Sequence, residues 1–225
     1  MSLWSDVVEK SPKKARVHLA LGIIYNEKGS YEQAESESRK ALSFEPHYAH
    51  AHYVIGLSLQ KRGLLDESIV RYKKVIQLDQ NHVEAYNNLG VIYEKKGLID
   101  QAIIHYEKAA AIKPYDLKYI KTYNNLAMAL RKKGFIDKAI TMYEMILQLK
   151  PADANARNYL GVCYFDKGWI DKAIEQFKIA IEIVPANADA HYNLGIAYSS
   201  RGLYDLASEE MKKGSNLSST SGSHN

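Results

Sequence analysis

Apolar residues recur three and four positions apart along most of this chain, in short stretches separated by turns that contain glycine. Between residues 83 and 116 they lie on both sides of Gly97: Tyr86, Leu89, Gly90 and Tyr93 before it, and Ile99, Ala102, Ile103, Tyr106, Ala109 and Ala110 after it. This spacing predicts two amphipathic helices joined at the glycine.

The same pair of predicted helices recurs along the chain. One series of glycines is separated by intervals of 34, 34, 37, 34 and 34 residues: Gly29, Gly63, Gly97, Gly134, Gly168 and Gly202. All five prolines share one place in this period: Pro12, Pro46, Pro114, Pro151 and Pro185. The register gives six repeats, numbered 1 to 6 below: 15–48, 49–82, 83–116, 120–153, 154–187 and 188–221. A fixed period of this length is typical of solenoid proteins.

Each predicted helix boundary has a local cause. Gly29 and its equivalents follow the first helix, where a left-handed backbone conformation that glycine adopts readily ends a helix. Basic residues such as Lys95 and Lys96 suit the negative C-terminal end of that helix. The second helix opens on an acidic residue in every repeat, which suits its positive N-terminal end: Glu32, Asp66, Asp100, Asp137, Asp171 and Asp205.

A second series of small residues lies in the middle of the first helices: Gly22, Gly56, Gly90, Ala127, Gly161 and Gly195. Glycine there costs about 0.5–1 kcal/mol relative to alanine, so close helix contact is needed to offset the loss. The expected partners are small residues of the second helix: Ala34, Ala102, Ala139, Ala173 and Ala207. Each helix pair also leaves an apolar face that a neighbouring pair must cover. The sequence therefore predicts an all-α fold, a right-handed superhelical solenoid of stacked antiparallel helix pairs.

The N-terminal segment, residues 1–14, carries part of the same pattern. Trp4, Val7, Val8 and Pro12 fall where a second helix has its apolar residues and proline, which predicts half of an upstream repeat in a longer protein.

The repeats are expected to occupy residues 15–217, with a Ser-rich, disordered tail over 218–225. Gly214 and Ser215 replace apolar residues in repeat 6, so its second helix is expected to decay early. The insertion 117–119 before repeat 4 either extends that repeat's first helix from an Asp116 cap or forms a surface loop.

Composition excludes several classes of protein. The chain has 225 residues, 46% of them hydrophobic and 25% charged, which is ordinary for a folded protein. The net charge is +4, but the lysines are spread along the chain rather than clustered, so nucleic acid is not an expected partner. No apolar stretch is long enough for direct membrane insertion. The single cysteine, Cys163, permits no internal disulfide, and the compartment remains undecided.

The pattern is fullest in the stretch ADAHYNLGIAY (188–198) and the following GLYDLA (202–207), and it resembles the tetratricopeptide repeat (TPR) family. The likeness covers most of the chain and is similar to the repeat portion of O-linked glycosyltransferases and to bacterial multidomain TPR proteins. It implies a scaffold or adaptor that binds peptides in a concave groove lined by the first helices. It implies no cofactor.

The family resemblance also implies which residues line that groove. In each first helix a leucine or isoleucine precedes the mid-helix glycine or alanine. The second residue before that leucine or isoleucine is Leu19, Tyr53, Asn87, Asn124, Asn158 or Tyr192. The residue immediately before it is Ala20, Val54, Asn88, Asn125, Tyr159 or Asn193. The residue after the glycine or alanine is apolar throughout: Ile23, Leu57, Val91, Met128, Val162 and Ile196. Amide side chains supply both donors and an acceptor, so the asparagines suit the main chain of an extended peptide. The apolar series fits either a ligand with apolar side chains or packing between first helices.

Basic residues lie near the ends of the first helices: Lys61, Lys95, Arg131 and Lys132. They favour an acidic ligand, although helix dipoles alone also explain them. Leu19, Ile23, Tyr53 and Leu57 stand where the family's carboxylate clamp for chaperone tails has lysine and asparagine. Such tails are therefore not expected ligands.

The sequence offers no catalytic or metal-binding motif. His47, His50 and His52 form a histidine cluster, but His18, His52 and His191 share one repeat position with Tyr86 and Tyr123, which favours a packing role over metal binding. The favoured hypothesis is a non-catalytic, peptide-binding scaffold. The alternatives are a module that self-associates through its solenoid ends, and the substrate-recruiting arm of a larger enzyme.

Overall fold

The structure, a computed structural model, describes residues 12–221, with side chains described over 14–219. Over this range the chain forms twelve α-helices and no strand. The helices are α1 (Pro12–Glu27), α2 (Tyr31–Phe44), α3 (Ala49–Lys61), α4 (Leu65–Leu78), α5 (Val83–Lys95), α6 (Ile99–Ile112), α7 (Ile120–Lys132), α8 (Ile136–Leu149), α9 (Ala154–Asp166), α10 (Ile170–Ile183), α11 (Ala188–Ser200) and α12 (Tyr204–Ser221). Each repeat contains two of them, so the predicted all-α fold of helix pairs is confirmed.

The chain divides into two compact bodies. The N-terminal body, up to Ile112, contains α1 to α6, and the C-terminal body, from Lys113, contains α7 to α12. Within each body every first helix packs on the second helix of its own repeat, and consecutive repeats are in contact. Side chains from neighbouring repeats form shared cores, such as the cluster of Phe177, Leu194 and Tyr198 in the C-terminal body.

The turn after each first helix has the geometry that the glycine series predicts. All six glycines have positive φ, from +75° at Gly97 to +87° at Gly134. In repeat 2 the Leu64 N–H donates to Leu59 O (2.9 Å) and the Gly63 N–H to Gln60 O (3.1 Å). This pair of bonds is a Schellman motif, which satisfies carbonyl groups left free at a helix end.

Gly56, Gly90 and Gly161, in the middle of the first helices, face aromatic rings, not the small residues predicted from the sequence. Gly22 instead faces Ser38, and Gly195 faces Met211. A Cβ added to Gly56 would lie 2.8 Å from Cε1 of Tyr72, and one added to Gly161 would lie 2.6 Å from Cε1 of Phe177. The alanines are buried one helical turn earlier, and Ala34 and Ala207 approach Gly22 and Gly195 only with their backbone oxygens. In the three repeats with Gly56, Gly90 and Gly161 the glycine therefore makes room for an aromatic ring, which buries more apolar area than two small residues in contact.

Ion pairs link the turns of neighbouring repeats. The acidic residue near the start of a second helix binds a basic residue at the end of the next repeat's first helix: Glu32 with Arg62, Asp66 with Lys96, Asp137 with Lys167, and Asp171 with Arg201. The Arg62 Nε–Glu32 Oε1 distance is 3.0 Å and the Arg201 Nη2–Asp171 Oδ1 distance is 2.7 Å. We call these four pairs the ion-pair ladder. The acidic and basic residues at these helix ends, which the sequence analysis explained by helix dipoles alone, therefore also pair with each other.

The ends of the repeat array differ from the sequence-based expectation. Helix α1 is described from Pro12, a residue type favoured in the first turn of a helix. Trp4, Val7 and Val8 of the predicted upstream half-repeat lie outside the described residues.

At the other end, α12 runs to Ser221, so residues 218–221 are helical where a disordered tail was predicted. Serine hydroxyls bond to carbonyl oxygens of the preceding turn, as in Ser218 Oγ to Gly214 O (3.0 Å). The second helix also does not decay at Gly214, which is buried and lies close to the α11 backbone at Ala188 and Tyr192. Residues 222–225 lie outside the described residues.

The insertion before repeat 4 forms a 3-10 turn, Leu117–Tyr119, ahead of α7. Asp116 caps this turn, since its Oδ1 accepts from the Lys118 N–H (2.9 Å). The predicted Asp116 cap is therefore present, but it caps a separate turn rather than a longer α-helix. Tyr115, just before it, has a φ of +61°.

Candidate functional site

The groove residues predicted from the sequence all lie on first helices. In repeats 2 to 6 the Leu or Ile before the mid-helix glycine or alanine, such as Ile55 and Leu89 at 0% exposure, anchors the first helix in the core, whereas Leu21 of repeat 1 is 38% exposed. In the N-terminal body the flanking Tyr53, Asn87 and Asn88 are half-buried. Leu19 and Val54, predicted at the same places, are 5% and 3% exposed and belong to the core instead, whereas Ala20 is exposed.

Asn88 is held by two tyrosine hydroxyls of the preceding repeat. Its Nδ2 donates to Tyr53 Oη (3.3 Å) and to Tyr72 Oη (3.2 Å), and Tyr72 in turn donates to Gln60 Oε1 (2.7 Å). Burial raises the pKa of Tyr72, so its hydroxyl stays neutral. The sequence predicted that Asn88 offers donors and an acceptor. In the structure both donors are engaged, which leaves the amide oxygen.

Tyr53 is part of an aromatic group beside Asn88. Its ring centroid lies 4.8 Å from that of His82 and 5.8 Å from that of Tyr72. Desolvation lowers the pKa of His82, so this ring is neutral near pH 7. These contacts fix the position of the Tyr53 hydroxyl. Tyr72, His82 and Gln60 were not predicted as site residues, because side-chain contacts between helices leave no local pattern in the sequence.

The apolar series after the mid-helix glycine is divided between packing and exposure. In the N-terminal body Ile23, Leu57 and Val91 are half-buried, and Ile23 packs against the cluster of Leu19, Ala41, Ala51 and Val54. In the C-terminal body Val162 packs against the Phe177 cluster, whereas Met128 is 41% exposed. The packing interpretation therefore applies to Ile23 and Val162, whereas the side chain of Met128 is left exposed.

The amide residues of the C-terminal body bind one another. Asn193 Nδ2 donates to Asn158 Oδ1 (3.0 Å), and Asn158 is only 4% exposed. The Oδ1 of Asn124 is buried and has no hydrogen-bond partner among the described residues. Tyr159 stacks on Tyr143, with ring centroids 5.8 Å apart.

Two further predicted groove residues, Tyr192 and Asn125, belong to the C-terminal body. Tyr192 is 51% exposed, and Asn125 is half-buried. Asn125, like Asn87, makes interactions within the protein.

The predicted basic edge contains both exposed and paired charges. Lys61 and Lys95 are exposed, and neither forms an ion pair with another described residue. Arg131 binds Asp166, with 2.6 Å between Nε and Oδ2, and these hydrogen bonds raise the pKa of the guanidinium group. Lys132 is exposed and also interacts within the protein. The unpaired positive charge therefore lies in the N-terminal body, and Asp166 was a residue that the sequence analysis missed.

The cysteine and the histidine considered as possible reactive residues, Cys163 and His191, make buried or hydrogen-bonded contacts within the helix pairs. Cys163 is buried, and burial raises the pKa of its thiol to about 12, so it is not a ready nucleophile. His191 has Nε2 3.0 Å from Pro185 O and Nδ1 2.5 Å from Glu210 Oε2. Within the described range no three His, Cys, Asp or Glu side chains are grouped to hold a metal ion, and no helix is long and apolar enough to span a membrane.

The helix pairs are closed by Schellman turns, and their first helices present amide and tyrosine side chains. These features define the class of helical-repeat interaction proteins. Family models described as "TPR repeat" match residues 60–97 and 163–202, and models described as "Tetratricopeptide repeat" match 81–152, 15–48 and 188–220. No curated protein sequence matches the chain.

Solved structures agree with the family models. The crystal structure of MamA is 30% identical, with a TM-score of 0.68, covering 76% of this chain and 98% of that one. YrrB, a TPR protein with an unusual peptide-binding site, is 25% identical with the same TM-score, covering 80% of this chain and 91% of that one. PilF of Pseudomonas aeruginosa shares the fold at 18% identity, with a TM-score of 0.73 and coverage of 88% and 89%.

The chain belongs to the tetratricopeptide repeat family. Proteins of this family mediate protein–protein interactions.

Proposed function

We propose that this chain is a non-catalytic scaffold that binds an extended peptide segment along its first helices. The observation that carries the proposal is the arrangement at Asn88. Its amide donors are held by Tyr53 and Tyr72, so its oxygen is fixed as an acceptor without a further loss of side-chain freedom. A fixed amide acceptor suits a backbone N–H of an extended peptide. The similarity to YrrB, which has a peptide-binding site, supports this function.

The rest of the affinity comes from side chains next to Asn88. One hydrogen bond contributes about 0.5–1.5 kcal/mol net, whereas micromolar binding requires about 8 kcal/mol. Half-buried Leu57 and Val91 offer apolar contact, and exposed Lys61 and Lys95 attract acidic side chains. The proposed ligand of the N-terminal body therefore combines apolar and acidic residues.

The C-terminal body presents a second face with a different character. Met128 and Tyr192 are its exposed apolar members, and Asn125 and Asn193 its half-buried amides. Arg131 is neutralised by Asp166, so charge contributes less there. Asn158, nearly buried, positions Asn193 rather than contacting the ligand itself.

Peptides selected from a random display library on the wild-type protein provide the ligand for a test. Fluorescence anisotropy then compares the wild type with Asn88→Ala, and with Asn81→Ala, an exposed amide in the loop before α5. Loss of one hydrogen bond of about 1 kcal/mol predicts roughly fivefold weaker binding for Asn88→Ala, and no change for Asn81→Ala. Equal affinity of the two variants would reject the face around Asn88.

Self-association is a second candidate function, favoured by the surface of α12. Tyr204 and Leu206 are 71% and 45% exposed there, whereas the equivalents of Leu206 in the other repeats are polar. We infer that a second copy could cover this surface. Light scattering across a concentration series tests it: Leu206→Glu should abolish any dimer, and a wild-type protein that stays monomeric at high concentration excludes this function.

A further inference from the structure

A histidine in repeat 2 lacks the partner that its equivalents in repeats 1 and 6 possess. In repeat 1, His18 Nδ1 lies 2.6 Å from Glu37 Oε2, and in repeat 6, His191 Nδ1 lies 2.5 Å from Glu210 Oε2. The two residues are 19 positions apart in both cases. In repeat 2 the same spacing joins His52 to Arg71, so a cation occupies the place of the carboxylate.

The His52 ring is nevertheless oriented like that of His191. Nε2 of His52 lies 3.2 Å from Pro46 O, as Nε2 of His191 lies 3.0 Å from Pro185 O. Nδ1 of His52 is buried and has no hydrogen-bond partner among the described residues, and the residue as a whole is 6% exposed. An unpaired buried polar atom costs about 1–3 kcal/mol unless something binds it.

His52 lines a shallow cavity of about 390 Å³. Its other walls are side chains of α4, which are basic or polar except for Val70: Val70, Arg71, Lys73, Lys74 and Gln77. Arg71 forms no ion pair with any described residue, and Lys74 donates to Gln77 Oε1 (3.0 Å). Glu35 and Glu67 lie within electrostatic range of Arg71, but Glu35 is already bound by Arg39 and Arg62. The cavity is therefore positively charged.

The same surface continues into repeat 3. His105 occupies the repeat position of Arg71, and its Nδ1 is also buried without a partner among the described residues. Lys73 and Lys108 both lie within electrostatic range of the His105 ring. Positively charged side chains thus lie within electrostatic range of both imidazole rings.

We propose that the cavity lined by His52, Arg71, Lys73 and Lys74 is an oxyanion-binding site that receives a phosphate or carboxylate group. The bound group takes the place that Glu37 and Glu210 fill in repeats 1 and 6. Arg71 and the two lysines supply charged donors, which bind phosphate and carboxylate oxygens strongly. The site uses none of the first-helix residues proposed to bind a peptide.

Binding at this site is coupled to proton uptake. Because Nε2 of His52 donates its hydrogen to Pro46 O, Nδ1 must gain a proton before it can donate to an anion. Burial, and then the charges of Arg71, Lys74 and His47, lower the pKa of His52. A bound anion opposes these effects and raises that pKa. The affinity for the anion therefore increases as pH falls through the interval between the His52 pKa of the anion-bound protein and its lower pKa in the free protein.

The test is an NMR titration of histidine-labelled protein with sodium phosphate, with sodium acetate, and with sodium chloride at matched ionic strength. We expect a saturable shift of the His52 ring signals and a higher His52 pKa with phosphate, with acetate, or with both. The arm that saturates identifies the source of the oxyanion. Sodium chloride should produce neither effect.

Arg71→Glu recreates the His–Glu pair of repeats 1 and 6, so it should fold and should weaken oxyanion binding by at least tenfold. Lys212→Glu makes the same charge change on exposed α12 and is the matched control. A thermal melt of both variants verifies folding. The proposal is overturned if neither phosphate nor acetate saturates the His52 signals, or if the two variants weaken binding equally, since that result indicates nonspecific attraction.

Discussion

Gly161 of α9 lies directly beneath the ring of Phe177 in α10, at a distance that leaves no room for a Cβ atom. An added Cβ would lie 2.6 Å from Phe177 Cε1, whereas an ordinary contact is at least 3.4 Å. The ring is 1% exposed. The repeat thus exchanges helix propensity at one residue for burial of a whole aromatic side chain.

Replacing Gly161 by leucine should lower the free energy of unfolding by about 1–3 kcal/mol through overpacking. Phe177→Ala in the same protein removes the obstructing ring, so the two changes should be less than additive. Gly168→Ala is the control: nothing lies within 4 Å of its Cβ position, and its φ of +76° makes the loss a backbone effect that Phe177→Ala leaves unchanged. Urea denaturation of the three single variants and of the two double variants that combine Phe177→Ala with Gly161→Leu or Gly168→Ala measures these terms. Strict additivity of Gly161→Leu and Phe177→Ala would contradict the packing account.

Two tyrosines at the same repeat position should respond differently to loss of their hydroxyl group. Tyr72 Oη donates to Gln60 and accepts from Asn88, whereas the buried Tyr143 Oη has no partner among the described residues. Tyr72→Phe should therefore destabilise the protein by about 1 kcal/mol or more, and Tyr143→Phe should leave stability unchanged or raise it. Thermal or urea unfolding compares the two. An equal loss in both would mean that Tyr143 is hydrogen-bonded in solution.

The stability of the N-terminal body should decrease in mild acid. Burial lowers the pKa of His105 from 6.5 to about 4, and its ring stacks on Tyr93 with centroids 5.2 Å apart. The unfolded chain takes up a proton at His105 below about pH 6.5 that the folded chain accepts only near pH 4, so the free energy of unfolding falls between these values.

His105→Phe retains an aromatic ring and removes this titration. Its unfolding free energy, measured in urea at pH 7 and pH 5, should change less with pH than that of the wild type. Identical pH dependence of the two proteins would show that His105 does not contribute.

The ion-pair ladder should contribute a small, salt-sensitive stabilisation. Asp171 is 74% exposed and Arg201 51%, so their pair contributes only about 0–1 kcal/mol. Asp171→Arg and Arg201→Asp should each destabilise at low ionic strength, and the double variant, with the charges exchanged, should recover part of the loss. In 1 M NaCl the coupling should disappear. A coupling that persists in 1 M NaCl would indicate packing rather than charge.

The sequence predicted the helices and turns because the period repeats the same local signals six times. Gly97 needs no partner from elsewhere in the chain to end a helix, and its positive φ followed from its residue type and place. The partner of Gly161 was mispredicted as Ala173, because helical spacing identifies which residues share a face but not which one stands opposite.

The sequence predicted the helices that carry the candidate groove residues, but not the hydrogen bonds that these residues make. Asn88 could be assigned to the first-helix face from the repeat register, whereas its bonds to Tyr53 and Tyr72 cross between helices and depend on side-chain geometry. Likewise, the role of Arg131 changed once Asp166, 35 residues later, was found to pair with it.

The proposed peptide-binding function is tested most directly by identifying the residues that a selected peptide contacts. In ¹⁵N and methyl NMR spectra, titration of the peptide should shift the side-chain amides of Asn87 and Asn88 and the methyl groups of Leu57 and Val91, and the shifts should saturate together. Residues exposed on second helices, such as Val70 and Ile104, should keep their positions. Saturable shifts confined to the second helices, with the Asn88 amide unmoved, would contradict the proposal that the first helices bind the ligand.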